Sequence, residues 1–449
     1  MRNKLLAGAY EVDITPPLGV NLAGYFNVRK ADGILDNLYA KAVVLKDEVT
    51  ELAVVSCDLC VIPREMVTKI RNLASQWSGI KEENIMIVAT HTHAGPVTTG
   101  LLAGEADPLY IDFLIRKVAT AIAMAQKNLR EARIKVGRVK EDTLVFNRRY
   151  VMKNGSVVTN PGKLNPDIVR PAGPVDPEII VVLIEDKLEA PLAVLINYAN
   201  HVDTIGGTAI SADYPGVISK ILYKSIGDIP VLFLPGAQGD INHIDVANPE
   251  PQGGYGEAER IGKIISEKIL ESLNDLSLIE PYLKTGNSTL KIPLRKPTEE
   301  DIHKAKLLLS SEETGSSSNE LTAFDLAQGS LEVEKVYAQE IMALAQLDRD
   351  FEELELQAIS VGELVFLGVP GELFVEIGLA IKKESPFNYT AVVSLANGGS
   401  GYIPTEKAFS EGGYEVRLAR SSKLDKLAEK EIVREGKNLI ESLRLQDRR

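Results

Sequence analysis

Four of the five histidines in this chain fall in three short polar motifs. His91 and His93 lie in Thr90-His91-Thr92-His93-Ala94-Gly95-Pro96, His201 in Asn200-His201-Val202-Asp203, and His243 in Gly239-Asp240-Ile241-Asn242-His243. Histidine is the commonest side-chain metal ligand and titrates near neutrality. So rare a residue, set beside Asp, Gly and Pro, points to a metal site in an enzyme. The fifth, His303, sits in a plain amphipathic stretch.

Each motif follows an apolar run. Residues 85–88 lead into His91 and His93. In a strand, positions i and i+2 share a face, so the spacing predicts two imidazoles side by side at a strand tip that Gly95-Pro96 ends. Both can bind one ion, or one can bind while the other handles protons. A second run reaches Tyr198 and places His201 just past its carboxyl end, where ligands collect in open α/β sheets. A third, residues 231–234, enters Pro235-Gly236-Ala237-Gln238-Gly239-Asp240, whose glycines allow close approach of the backbone. Asp240 reads as a direct ligand or as an acceptor that orients a ligating imidazole. His243 reads as a ligand or a polar lining residue. A fourth run enters Pro370-Gly371-Glu372, where Glu372 reads as opening a helix, a place that suits a carboxylate. Asp58, at a strand end, and Asp213, in Ser211-Ala212-Asp213-Tyr214, read as lining residues or helix caps, the cap favoured for Asp213.

The elements that must position these residues alternate from residue 39 to 275. Residues 52–57, 85–88, 179–184, 192–197 and 231–234 are short, continuously apolar strands of the kind buried on both faces. Leu114, Val118 and Ile122 recur at helical spacing, as do Ile261, Ile265 and Ile269. The pattern predicts an α/β fold, a mixed buried sheet flanked by helices. Residues 297–350 form a helical excursion that includes a polar loop at 312–319. Strands return at 354–360 and 364–369, joined by a tight hairpin at Gly362, then at 391–395. Residues 424–445 read as a terminal amphipathic helix. Because the motifs spread along the chain, one domain, 1–449, is expected.

The totals bound the function. The 449 residues carry 50 basic and 63 acidic side chains, a net charge of -13, which argues against nucleic-acid binding. The first residues lack the apolar segment of a secretory signal, and no apolar run approaches membrane-span length, so a cytoplasmic location without stable membrane insertion is expected. The sequence says nothing of oligomeric state. Cys57 and Cys60 form a C-x-x-C, a redox or half-zinc pattern with no second pair to complete it. Cys57 reads as a small buried residue at a strand end.

In their order along the chain, Thr-His-Thr-His-x-Gly-Pro, Asn-x-x-x-His, Gly-Asp followed by Asn242, Pro-Gly-Glu and Ser-Gly-Tyr-Ile-x-Thr resemble the neutral/alkaline (non-lysosomal) ceramidase family. The resemblance runs from Asp13-Ile14-Thr15-Pro16 to Tyr414. It implies a ceramidase-like catalytic domain with zinc held by His91, His201, Glu372 and Tyr402, His93 as the catalytic histidine, and Arg148 and Tyr414 acting at the substrate carbonyl. Local sequence alone does not single out Tyr402, Arg148 or Tyr414. The family commonly carries serine where Asn242 stands, and no aromatic-rich docking stretch is present. A homologue acting on something other than ceramide is therefore expected.

The leading expectation is a zinc-dependent hydrolase cleaving an amide (N-acyl) bond of a small or lipid-like substrate. Mn2+ and Fe2+ also suit such ligands. The alternative is a metal-dependent lyase, isomerase or ester/lactone hydrolase for a sugar-like molecule, since fold does not determine reaction. A non-catalytic protein with a structural metal fits less well, because structural zinc sites are usually closed by Cys and His.

Overall fold

The computed structural model describes residues 4–100, 104–311 and 330–445. Two sheets lie at its centre. The larger, nine-stranded sheet runs in the order Val231–Pro235, Pro191–Tyr198, Glu178–Asp186, Arg130–Lys140, Leu6–Asp13, Tyr39–Lys46, Glu51–Cys57, Ile85–Ala89, with Ser277–Ile279 paired to Arg130–Lys140. The outermost pair at each end of that order is parallel. The pairs between are antiparallel. The smaller sheet runs Leu283–Pro293, Phe351–Val361, Leu364–Gly368, Tyr389–Val393, with only its last pair parallel.

The continuously apolar strands are buried on both faces, and the two faces serve different cores. In Glu51–Cys57, Ala53, Val55 and Cys57 pack beneath helices with Ile70, Leu114, Val118 and Ile122. Leu52 and Val54 point the other way, into a core shared with Ile359, Phe366 and Val393 of the smaller sheet. This is the period-two alternation of a strand sandwiched between layers. Helices Arg64–Ser78 and Pro108–Lys127 cover one half of the larger sheet's outer face. Asp213–Ile226 and Tyr255–Ser272 cover the other half. Val375–Glu384 and Leu427–Leu445 cover the outer face of the smaller sheet. The architecture is the mixed, helix-flanked α/β fold read from the sequence, built with two stacked sheets where one was expected.

The excursion contains helices Glu299–Ser310 and Leu331–Ala345. The first opens on a reciprocal capping box between Thr298 and Asp301. The polar loop at 312–319 lies outside the described residues. Gly362, at φ 54°, makes the tight turn between Phe351–Val361 and Leu364–Gly368. Strands Leu6–Asp13, Arg130–Lys140 and Leu283–Pro293 escaped the pattern because charged and small residues interrupt their apolar positions. Among the described residues, no helix is long and apolar enough to cross a membrane.

One buried amide ties the sheets together. Asn197 Nδ2 donates to the carbonyls of Leu234 and Val392, each at 3.0 Å. These acceptors lie on strands of different sheets, and Asn197 is buried. Replacing it by Leu strands buried polar groups at a cost of about 1–3 kcal/mol. Asn197→Leu is expected to lower the midpoint of urea unfolding accordingly, and an unchanged midpoint would refute the clamp.

Candidate metal centre and its surroundings

The strand Ile85–Ala89 stops before the histidines. His91 has φ 74°, a left-handed conformation uncommon outside glycine. Its N–H donates to Leu59 O at 2.8 Å and the His93 N–H donates to Val202 O at 3.2 Å. The two imidazoles therefore converge through a kinked loop held by backbone bonds, and strand alternation does not carry them. Their Nε2 atoms lie 3.3 Å apart.

His201 arrives from the end of Pro191–Tyr198, with its Nε2 3.1 Å from that of His91. Glu372 comes from the end of Leu364–Gly368, its Oε2 3.3 Å from His91 Nε2. The expectation that Glu372 opens a helix is corrected: it lies on the short strand Glu372–Leu373, and the helix begins at Val375. That strand pairs in parallel with Tyr402–Ile403, in register Glu372 to Tyr402, because Glu372 N–H donates to Gly401 O.

His91, His201 and Glu372 each offer a ligand atom, all within 4.8 Å of one another and all buried. His91 Nδ1 faces the Cys60 carbonyl at 2.8 Å and His201 Nδ1 faces the Gln238 carbonyl at 3.4 Å. A carbonyl only accepts, so both Nδ1 atoms carry protons, and when both rings are neutral their Nε2 lone pairs face each other. Glu372 Oε2 is buried and makes no hydrogen bond. Two lone pairs and a carboxylate converging on one point repel unless a cation lies among them. The 3.1 and 3.3 Å separations match the roughly 3.3 Å expected between ligands about 2.0–2.1 Å from a tetrahedral zinc ion.

The electrostatics ask for positive charge at the same point. Burial works against charge on His91, but the Glu372 carboxylate and Cys60 outweigh it and hold its pKa well above the usual value. Burial, then the His91 charge, press His93 and His201 well below theirs. One cation is accommodated, opposite Glu372, and a metal ion can take the place of that proton.

Around this point the other residues divide. Arg148 is buried, donating from Nη2 to Gly239 O at 2.6 Å and to Tyr414 Oη at 2.8 Å, while its Nε meets Glu415 Oε1 at 3.0 Å. Tyr402 Oη lies 2.5 Å from Tyr414 Oη. Burial, then the Glu372 charge, hold the Tyr402 phenol well above its usual pKa.

Asp240 is corrected: it orients no imidazole. Its carboxylate accepts from Val375 N and from Asn147 Nδ2, both at 2.8 Å, and so locks the segment that presents Arg148. Asp58 accepts from Tyr39 N at 2.9 Å and pairs with Lys41 at 3.4 Å, beneath the turn that leads to Cys60. Asp213, the first residue of its helix, accepts from Thr204 N, Ile205 N and Tyr214 N, tying down the loop after His201. His243 donates from Nε2 to Gln252 O at 2.8 Å, and Asn242 donates to Asn160 Oδ1 at 2.8 Å. Neither belongs to the ligand cluster; both line a neighbouring cavity.

Four contributors were not singled out in the sequence. Asp203 Oδ1 lies 3.5 Å from His93 Nδ1 and accepts from Tyr25 Oη at 2.9 Å. Arg29 donates to the His93 carbonyl at 2.6 Å. Glu415, fully buried, accepts from Arg148 and from Thr159 Oγ1. Gly24, at φ 95°, leaves no room for a Cβ, which would sit 2.5 Å from the His93 ring. Close approach was predicted for the glycines at 236 and 239, and the structure identifies its object. A Cβ on Gly239 would meet the Glu372 carbonyl at 2.5 Å, so the loop carrying one motif rests directly on another.

Two cavities meet here, of about 670 Å³ and 410 Å³. Both are lined by His93 and Tyr414. The larger adds His91, Glu372 and Tyr402, apolar Val61 and Leu347, and charged Arg64, Glu353 and Lys423. The smaller adds His201, Arg148 and polar Asn160, Asp203, Asn242 and His243.

Fold and site together define a layered α/β scaffold with a candidate metal centre where strand ends converge. A profile of the neutral/alkaline non-lysosomal ceramidase N-terminal region matches residues 5–228, and the chain belongs to that family. Among solved structures it is similar to the neutral ceramidase from Pseudomonas aeruginosa at 19% identity, over 99% of this chain and 75% of that one, with a TM-score of 0.76. It is also similar to a ceramidase complexed with C2, at 17% identity over 99% and 76% of the two chains, with a TM-score of 0.75. At these identities the likeness shows the fold.

Elemental mass spectrometry is expected to find about one divalent transition-metal ion per chain, lost in His201→Ala and kept in His243→Ala. The reverse pattern would overturn the assignment of these two histidines.

Proposed function

We propose that the chain is a metal-dependent amidohydrolase that cleaves the N-acyl bond of a small or lipid-like substrate, as one catalytic domain. The observation that carries this reading is the facing arrangement: His91, His201 and Glu372 at the centre, His93 on one side and the Arg148–Tyr414 pair on another, at the junction of two cavities. Tyr402 is proposed as a fourth ligand, from its register beside Glu372. Zinc held by these residues would supply Lewis acidity and make water a stronger acid.

The chain's own groups supply the rest. Asp203 is the acceptor facing His93 Nδ1. A proton held at Nδ1 leaves Nε2 as the basic nitrogen directed at the centre, the division of roles used by His–Asp pairs. His93 Nε2 takes a proton from the attacking water and returns it to the leaving nitrogen as the C–N bond breaks. Tyr414 donates its hydroxyl hydrogen to the carbonyl oxygen as charge develops there, and the Arg148 cation stabilises that charge. Glu415 holds the guanidinium in place.

A second reading, ester or lactone hydrolysis of a hydroxyl-rich molecule, is favoured by one observation: the smaller cavity is lined by amides and an imidazole, including Asn242 where the family commonly has serine. Purified, metal-replete protein should be offered short N-acyl amines, ceramide and sugar lactones in ¹⁸O-labelled water. Release of free amine with label in the carboxylate supports amide hydrolysis. Label in a hydroxy acid from a lactone alone favours the second reading, and turnover without label excludes hydrolysis.

On a cleaved substrate, His93→Ala is expected to lower kcat by roughly 10²–10⁴ with bound metal retained. Asp203→Asn should cost less, chiefly in kcat, with KM little changed. A loss confined to KM would place Asp203 in substrate binding.

A further inference from the structure

We propose that Cys60 is a ligand for thiophilic cations, and that such an ion, held by Cys60, His91 and His93, removes the centre from hydrolytic service. The C-x-x-C motif divides in the fold. Cys57 ends its strand fully buried among the apolar side chains beneath the helices. Cys60 lies beyond the strand, a free thiol lining the larger cavity. Its Sγ is 3.7 Å from His91 Nδ1. Cys60, His91 and His93 each offer a ligand atom, all within 4.8 Å of one another and all buried.

This set differs from His91, His201 and Glu372 in chemistry. It replaces a hard carboxylate with a sulfur, and soft ions such as Cd2+ select sulfur and imidazole over oxygen. His91 is common to both sets. Recruiting it to the Cys60 side withdraws it from His201 and Glu372, so the two arrangements compete. His93, the proposed base, becomes a ligand and can no longer carry a proton. Binding breaks the Cys60 S–H bond and releases its proton to solvent, moves the His91 proton from Nδ1 to Nε2 so that Nδ1 can meet the ion, and forms S–metal and N–metal bonds, with no change in oxidation state. The ligand assignment stands on geometry alone, while the loss of activity rests on the proposed hydrolase reading.

The test is a titration of metal-free protein with Cd2+, following the ultraviolet thiolate-to-cadmium charge-transfer band. The wild type, Cys57→Ser and His201→Ala are expected to develop the band, and Cys60→Ser is expected to lose it. A band lost in Cys57→Ser, or kept in Cys60→Ser, assigns the wrong sulfur and overturns the proposal. A band lost in His201→Ala places the ion in the other ligand set and also overturns it. In a turnover assay, Cys60→Ser should need at least about tenfold more Cd2+ for half-inhibition, and equal sensitivity overturns the inhibitory role. The absorbance arm needs no substrate, so a chain inactive on every amide would defeat the hydrolase reading and leave the cadmium site standing.

Discussion

The structure depends on holding together groups that repel. His91 Nε2 lies 3.1 Å from His201 Nε2 and 3.3 Å from the Glu372 carboxylate, in an interior with little water to screen them. Left to side-chain rotation they would separate. Their positions are instead set by the backbone around them. His91 is turned by a left-handed kink whose N–H bonds to Leu59, and Glu372 by a strand pair with Tyr402. The stiffness is built before any ion binds, which is the arrangement a metal site needs.

The two stacked sheets make the convergence possible. Ile85–Ala89 and Val231–Pro235 are opposite edges of the larger sheet, and Leu364–Gly368 is interior to the smaller one. Ser394 N–H donates to Pro235 O, and Ala396 bridges to Val88, so strand ends from both sheets are stitched around one point. The Asn197 clamp works at the same seam. Burial of apolar strands on both faces thus serves the site as well as stability, because a layer slipping would part the clustered side chains.

What was legible in the sequence follows from how far apart the interacting parts lie. The apolar strands and the histidines just beyond them are local patterns, and the paired motifs at 91–93 and 201 are where the structure gathers imidazoles. Glu372 was visible as a residue and misread as a helix start, because the strand it joins is formed with Tyr402, thirty positions away in the chain. Arg148, Tyr402 and Tyr414 came only through family resemblance: each sits on a short irregular segment with no periodicity to mark it. Asp203 stood inside a quoted motif, but its value lies in facing His93, a contact across 110 positions. Arg29 and Glu415 left no local signal, since a buried charge is revealed only by what encloses it. The doubling of the sheets was hidden for the same reason: alternation reports that a strand has two covered faces but does not say what covers them.

The two cavities touch at few residues, Gly24, Phe26, His93 and Tyr414. On the proposed reading a molecule spans both, with the bond to be broken at that narrow neck. Once it is cut, the acyl half and the amine half occupy separate chambers. Neither half need wait for the other to depart. Their chemical characters can also change independently, so a new substrate head can be accommodated by altering one chamber while the other chamber and the neck stay as they are.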